Sequence, residues 1–113
     1  MHDWKKTIHD IKVRLKELST RTPDTLRGEA LLAGAGAKTN LLGPKTRELI
    51  ALAVAVTTRC DGCIAFHAAE AGKLGVSDEE LAEALGVAIN LNTGAALVYS
   101  THVLDAMDKL KQA

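Results

Sequence analysis

The stretch Arg59–His67 reads RCDGCIAFH, and the rest of the chain can be interpreted around it. It holds both cysteines of the protein and one of its four histidines, in the spacing Cys-x-x-Cys-x-x-x-His. The segments on either side have the composition of helices that could bury or shield it. Two cysteines this close can form a redox dithiol, belong to a metal site or pack as small hydrophobic side chains.

The composition predicts a single all-α domain over residues 1–113. A chain of 113 residues fits one domain with one modest core. Hydrophobic residues make up 47% of it and aromatic residues only 3%, so alanine and leucine, which favour helices, dominate the apolar content. Only two prolines, Pro23 and Pro44, interrupt the chain. We therefore expect a compact domain of five or six helices.

Local patterns locate these helices. The first runs from about Asp3, its N-cap, to Leu18, with the apolar stripe Trp4, Ile8, Ile11, Leu15 and Leu18. A second helix is predicted from Pro23 to about Ala35, ended by glycines 34 and 36. The third runs from Pro44 to about Thr57, and the fourth opens at Cys60 and ends near Gly72–Gly75. Ser77 and Glu80 form a capping box for the fifth helix, and a break at Asn90–Gly94 separates it from a sixth.

Eight consecutive apolar residues, Leu49 to Val56, predict that the third helix is central and buried. Its valines leave a strand as the competing interpretation, which the alanines and Pro44 disfavour. A small domain with such a helix, and with Trp4 on an amphipathic one, is expected to bury further surface by forming a homo-oligomer.

Charge and hydropathy limit the partners. The chain has 14 basic and 14 acidic side chains, so there is no electrostatic basis for binding nucleic acid or an anionic membrane. The polar start shows no signal peptide, and the longest apolar run, Leu49–Val56, is far shorter than the roughly 20 residues that span a bilayer. We expect a cytoplasmic protein with no membrane association. A structural disulfide is uncommon there, which favours a catalytic or metal-binding role for the cysteines.

The spacing suits a two-thiol redox cycle. With Cys60 at the start of the fourth helix, Cys63 and His67 share its face. Unpaired amides at a helix N-terminus stabilise a thiolate; Arg59 and His67 would add to this effect and Asp61 would oppose it. A thiolate attacks peroxide to give a sulfenic acid, which a neighbouring thiol converts to a disulfide.

Three other interpretations remain open at this point. The first is a zinc site completed by His102 or Glu48. The second is a pair of inert packed cysteines, and the third is a structural disulfide. His67 taken alone could be a hydrogen-bonded core histidine.

Glu48 lies twelve residues before Cys60 on the third helix, and a carboxylate beside a nonpolar wall can relay protons. It could equally be a first-turn glutamate that pairs with Lys45. Tyr99 and His102, one turn apart, could line the same pocket or serve only in packing.

Residues 47–53 (RELIALA) and 60–67 (CDGCIAFH) together give the pattern Glu-x(11)-Cys-x-x-Cys-x-x-x-His. This pattern resembles the signature of the carboxymuconolactone decarboxylase superfamily and, within it, the alkylhydroperoxidase D-like branch. Residues 94–102 also resemble the last helix of that family. The similarity covers about residues 42–107.

The resemblance implies an all-helical fold, a homotrimer or homohexamer, and thiol peroxidase or disulfide reductase activity without a cofactor. The substrate would be a peroxide or small disulfide, and the reductant a dithiol such as a lipoyl group. Cys63 matches the peroxidatic cysteine and Cys60 the resolving one. Glu48 and His67 match the proton relay.

The chain departs from the family pattern at Gly62, where peroxidase members carry a histidine, so weaker activity toward peroxide is expected. The decarboxylases that name the superfamily lack the Cys-x-x-Cys pair, which argues against lactone decarboxylation. A decarboxylase-like enzyme and a metal-binding or structural helical oligomer remain the alternatives.

Overall fold

The computed structural model describes residues 1–112, so Ala113, the last residue of the predicted domain, lies outside it. The chain forms five helices: α1 (Trp4–Arg21), α2 (Pro23–Thr39), α3 (Pro44–Thr58), α4 (Asp61–Lys73) and α5 (Asp78–Lys111). Residues 1–112 contain no strand, which confirms the all-α class and the helical interpretation of the apolar run at 49–56.

Helix α3 is the centre of the arrangement, because it contacts α4 on one side and α5 on another. Helices α3 and α4 form an antiparallel hairpin, whereas α3 and α5 run side by side in the same direction. The parallel pair is joined near its start by Lys45 and Glu80, 3.7 Å apart, and near the end of α3 by Thr57 and Asn92. Helix α1 packs on α4, and α2 packs on α1.

The predicted starts of α1, α3 and α5 are confirmed. The Asp3 carboxylate accepts a hydrogen bond from the Lys6 backbone N–H at 3.1 Å, and both bonds of the Ser77–Glu80 capping box are present. Pro44 occupies the first turn of α3, where its missing N–H costs nothing. These signals act within three or four residues, so the surrounding fold does not alter them.

The predicted end of the second helix near Ala35 is wrong, because α2 continues to Thr39. Gly36 instead gives close access to Arg47, whose side-chain Cδ would lie 2.8 Å from a Cβ at that position. The Arg47 guanidinium donates to the Gly36 carbonyl at 3.3 Å and to the Asn40 side-chain oxygen at 2.9 Å. A cation therefore binds the carbonyl end of α2, and the left-handed Asn40 terminates the helix.

The predicted break at Asn90–Gly94 is also wrong, because α5 continues through it. Asn92 donates to the Ala88 carbonyl at 2.7 Å and to the Thr57 hydroxyl at 2.9 Å, and the Thr93 hydroxyl donates to the Ile89 carbonyl. These side chains add a second hydrogen bond to the carbonyl four residues back and do not replace the helical one, so the helix continues through Asn92 and Thr93. Gly94 is carried inside the helix at a cost of about 1 kcal/mol relative to alanine.

The prediction that α3 is buried on every side is wrong for the single chain. Only Leu52 and Ala55 of this helix are buried, whereas Ile50 and Val54 are 48% and 56% exposed. Helices α4 and α5 cover two sides of α3, and no element of residues 1–112 covers the third. An apolar surface on the central helix is therefore open.

Helix α5 is long and apolar enough to cross a membrane by length and composition alone, the one such helix within residues 1–112. Asparagine, threonine and serine divide its apolar residues, so it contains no long uninterrupted apolar run. Almost none of its most apolar segment is buried against the rest of the chain.

Candidate active site

The junction between α3 and α4 fixes the position of Cys60. Arg59 adopts the left-handed conformation with φ of 56°, and the Cys60 backbone N–H donates to the Ala55 carbonyl at 3.1 Å. This closes α3 and reverses the chain within two residues, so that Cys60 becomes the N-cap of α4. The predicted location of Cys60 at a helix N-terminus is confirmed.

The two cysteines are joined in a disulfide across the first turn of α4, with their Cα atoms 5.2 Å apart. The Cys60 sulfur also accepts the Cys63 backbone N–H at 3.2 Å, as a capping side chain does. Cys63 is exposed to solvent, whereas Cys60 is half-buried. A reagent from solution can therefore reach the sulfur of Cys63 more easily than that of Cys60. Cys60 lies at the N-terminus of α4, where the helix stabilises a negative charge.

Glu48 and His67 meet across the antiparallel pair of helices. His67 Nδ1 lies 2.7 Å from Glu48 Oε2, and the glutamate side chain is largely buried, at 17% exposure, while the histidine is 41% exposed. With the Glu48 carboxylate as acceptor, Nδ1 of His67 is the donor of this bond, and Nε2 is the second nitrogen at which the ring can take or give a proton. The arrangement therefore orients an imidazole and leaves one nitrogen free to exchange a proton.

The alternative role of Glu48, pairing with Lys45, is not observed, because Lys45 lies beside Glu80 instead. Nineteen residues separate Glu48 from His67, and α3 and α4 bring them together by running antiparallel. Three of the predicted site residues, Cys60, Cys63 and His67, thus follow one another on α4, and Glu48 joins them from α3.

Tyr99 and His102 are not brought to this site. Their rings stack on each other with centroids 4.5 Å apart, on the exposed second half of α5. Of the two ligands considered for completing a zinc site, His102 is therefore occupied elsewhere and Glu48 is bonded to His67. Within residues 1–112, no group of three or more histidine, cysteine, aspartate or glutamate side chains is arranged to hold a metal ion.

Helix α1 closes one side of the cysteine turn, a contact that sequence reasoning missed. A Cβ at Gly62 would lie only 2.9 Å from Cδ1 of Ile11, so the isoleucine fills the space next to this glycine. One residue further along α1, the Lys12 ammonium lies 6.0 Å from the centre of the Phe66 ring. The apolar stripe of α1 contains Ile11, but nothing in the stripe indicates which helix it meets.

A second imidazole lies near the start of α4. His2 Nε2 is 3.6 Å from Asp61 Oδ2, and the His2 ring packs against Trp4 with centroids 4.6 Å apart. Both members of the His2–Asp61 pair are about half exposed. A protonated His2 would offset the Asp61 charge, which otherwise opposes a thiolate at the neighbouring Cys60.

The carboxymuconolactone decarboxylase family matches residues 23–106 of the chain. A carboxymuconolactone decarboxylase family protein from Legionella pneumophila has a similar crystal structure, with a TM-score of 0.74, 37% sequence identity, and coverage of 94% of this chain and 95% of that one.

Two bacterial proteins, both described as uncharacterized, are similar in sequence. One, from Haemophilus influenzae, is 51% identical over 104 residues, which is 92% of each chain. The other, from Cupriavidus necator, is 30% identical over 108 residues, covering 89% of this chain and 96% of the relative.

Proposed function

Because the chain belongs to the carboxymuconolactone decarboxylase family, we propose that it is a cytoplasmic thiol oxidoreductase that reduces peroxides or small disulfides. The observation that carries the proposal is the Glu48–His67 hydrogen bond, which orients an imidazole one helical turn from Cys63. Its second support is the disulfide between Cys60 and Cys63 at the N-terminus of the same helix.

With peroxide, the oxidative half-reaction begins at Cys63. Its thiolate attacks the terminal peroxide oxygen, the O–O bond breaks, and the products are a Cys63 sulfenic acid and an alkoxide or hydroxide. His67, held by Glu48 through Nδ1, first takes the proton of the Cys63 thiol on Nε2 and then gives that proton to the leaving oxygen. The Cys60 thiol then attacks the Cys63 sulfur, water leaves, and the disulfide forms.

The reductive half-reaction uses an external dithiol such as a dihydrolipoyl group. One of its thiolates attacks the exposed Cys63 sulfur, and Cys60 leaves as a thiolate that accepts the Cys63 N–H at the helix N-terminus. A stabilised leaving thiolate departs faster, so this geometry favours attack at Cys63. The second thiol of the donor resolves the mixed disulfide and releases reduced Cys63. Peroxide and dithiol thus yield alcohol, water and the oxidised donor.

The experiment treats fully reduced protein with one equivalent of hydrogen peroxide and follows the products by mass spectrometry. Wild type should form the intramolecular Cys60–Cys63 disulfide. The Cys60→Ser variant should accumulate a Cys63 sulfenic acid that a dione reagent traps, and Cys63→Ser should react far more slowly. Absence of the disulfide in wild type, or equal rates for wild type and Cys63→Ser, would refute the peroxidase assignment. A parallel assay with a small disulfide tests the other substrate class.

A further inference from the structure

The carboxylates of the two helices that form the site are all engaged by other groups. Helices α3 and α4 contain three acidic side chains, and each of them pairs with a basic one. The pairs are Glu48–His67 at 2.7 Å, Asp61–His2 at 3.6 Å and Glu70–Lys73 at 3.8 Å. These carboxylates therefore repel an anion that approaches the cysteine turn less than free carboxylates would.

Two cations next to the turn have no such partner. Arg59, which immediately precedes Cys60, and Lys12 of α1 are both exposed, and no carboxylate of residues 1–112 forms an ion pair with either. The Lys12 ammonium lies 6.0 Å from the centre of the Phe66 ring, at the outer limit of a cation–π contact. The ring therefore holds the ammonium only loosely, and its charge stays available to a ligand.

The contact of Lys12 with α4 lies beside the exposed sulfur of the pair. Phe66 follows Cys63 by three residues, so the two side chains lie on the same side of α4, one turn apart. Cys63 is the exposed cysteine, whereas Cys60 is half-buried. A substrate at the Cys63 sulfur therefore has the Phe66 ring roughly 5 Å away along the helix axis, with the Lys12 ammonium beside it.

Two further features make the electrostatic field at this turn positive. The backbone amides at the N-terminus of α4 carry a partial positive charge, and Lys5 lines the groove between α1 and α4. Asp3, the acid closest to Lys5 in the sequence, already accepts the Lys6 backbone N–H as the N-cap of α1. The excess of positive charge is local, since the formal net charge of the whole chain is zero.

We propose that the site selects substrates that carry a carboxylate near the reacting sulfur or oxygen, and that Lys12 is a residue that determines this specificity. The proposal rests on the proposed function, because it takes Cys63 as the reacting sulfur and names the class of substrate. A lysine ammonium on a flexible stem can follow a carboxylate without a fixed geometry. The class therefore includes small disulfides and hydroperoxides of organic acids, and substrates of the same size that carry an amine are disfavoured.

The experiment uses Cys60→Ser, in which Cys63 is the single thiol. Its thiolate attacks one sulfur of a symmetrical disulfide, the S–S bond of the probe breaks, and half of the probe leaves as a thiolate. The probes are dithiodipropionate, hydroxyethyl disulfide and cystamine, which are similar in length and carry negative, no and positive charge. Mass spectrometry after an acid quench gives each rate. Division by the rate of β-mercaptoethanol with the same probe removes the intrinsic reactivity of the probe.

At low ionic strength the normalised rate should be highest with dithiodipropionate and lowest with cystamine, with a ratio of at least ~5 between the two. Lys12→Gln in the same background should lower this ratio at least ~2-fold, and Lys12→Glu should lower it further. With Lys12 intact, about 0.5 M sodium chloride should also lower the ratio, because salt screens the charges. A changed thiolate fraction would alter the rates with all three probes equally, so the ratio reports recognition of the probe's charge.

Lys16→Gln is the matched control, because it removes the same charge from the same helix one turn further along α1. It should lower the ratio less than Lys12→Gln does. Equal normalised rates for the three probes, a ratio that does not respond to salt, or equal effects of the two lysine substitutions would overturn the proposal.

Hydrogen peroxide separates this inference from the proposed function, because it is small and uncharged. A wild type that forms the Cys60–Cys63 disulfide with hydrogen peroxide, together with a Cys60→Ser protein that shows no preference among the probes, would refute the specificity and support the redox function. A preference for dithiodipropionate without peroxide-driven disulfide formation in wild type would support the specificity and refute the peroxidase assignment.

Discussion

Cδ1 of Ile11 occupies the space that a side chain at Gly62 would enter, at 2.9 Å from the position of its Cβ. Peroxidase members of the family that this chain resembles carry a histidine at this position. In this chain α1 instead packs directly on the cysteine turn. The glycine at position 62 therefore coincides with a close contact between α1 and α4. The effect of a substitution at Gly62 should depend on the residue at position 11.

A double-mutant cycle tests this coupling. Gly62→Ala should be close to neutral in wild type, because about 0.5–1 kcal/mol of gained helix propensity is offset by displacing Ile11. In the Ile11→Val background Cδ1 is absent, so the same change should stabilise the protein. Urea unfolding should give a favourable coupling of about 0.5–1 kcal/mol.

Gly72→Ala is the matched control for that cycle, because a Cβ at Gly72 meets nothing within 4 Å. It should stabilise the protein equally with isoleucine or valine at position 11. If the effects of Gly62→Ala and Ile11→Val on the free energy of unfolding were also additive, Ile11 would relax without cost. The contact would then not constrain position 62.

Removing the Glu48 carboxylate should slow disulfide formation. Glu48→Gln keeps the size of the side chain but loses the charge that holds His67 in one tautomer, and general acid–base groups contribute about 10²–10⁴ in rate. We expect the peroxide-driven rate of Cys60–Cys63 disulfide formation to fall at least ~10-fold, measured by stopped-flow fluorescence of Trp4 or by quenched mass spectrometry.

Glu70→Gln is the control for Glu48→Gln, since Glu70 lies on α4 but is exposed and pairs only with Lys73. It should leave the rate within about two-fold of wild type. A Glu48→Gln protein that retains the wild-type rate would show that the Glu48–His67 bond is structural and that protons move by another route.

The two cysteines should differ in thiol–disulfide exchange. Cys63 is exposed and Cys60 is half-buried at the helix cap, so an aromatic disulfide reagent should form a mixed disulfide with Cys60→Ser at least ~10-fold faster than with Cys63→Ser. Absorbance of the released thiol gives both rates. A faster reaction in Cys63→Ser would mean that Cys60 is the attacked sulfur and Cys63 the leaving one.

Glu80 should contribute to stability at mildly acidic pH. The Ser77 backbone N–H, then the Ser77 hydroxyl and Lys45, lower the pKa of Glu80 below its ordinary value of 4.5. Since the folded-state pKa is depressed, the contribution is complete above about pH 4.5 and is lost as the pH falls through the folded-state value.

Urea unfolding between about pH 3 and 6 measures that contribution. Glu80→Gln should reduce the dependence of unfolding free energy on pH in this range, and Glu79→Gln, the same change one residue earlier and outside the capping box, should reduce it less. Equal pH dependence in wild type and Glu80→Gln would contradict the assignment.

Local signals predicted the parts of the fold that local physics controls. Asp3, Pro44 and the Ser77–Glu80 box act on backbone groups three or four residues away, so their roles follow from the sequence. The helical period also placed Cys63 and His67 on one face. The predicted helix ends at Gly36 and at Asn92 were wrong because a partner outside the local sequence stabilises the helix there. The Arg47 side chain packs against Gly36. Asn92 donates its hydrogen bonds to Thr57 and to its own helix.

The sequence by itself determined the helical class, the family and the position of the candidate redox pair, because periodicity, caps and motif spacing are properties of neighbouring residues. Only the tertiary structure decided that Glu48 bonds to His67, that Ile11 fills the space beside Gly62 and that one side of α3 stays open. Such contacts depend on how helices far apart in the chain cross one another, and an apolar stripe specifies only that it will be buried, not against what. The same limit applies to the Cys60–Cys63 turn: the spacing predicted a pair of cysteines on one helical face, and the packing of the helices around it set which sulfur faces solvent.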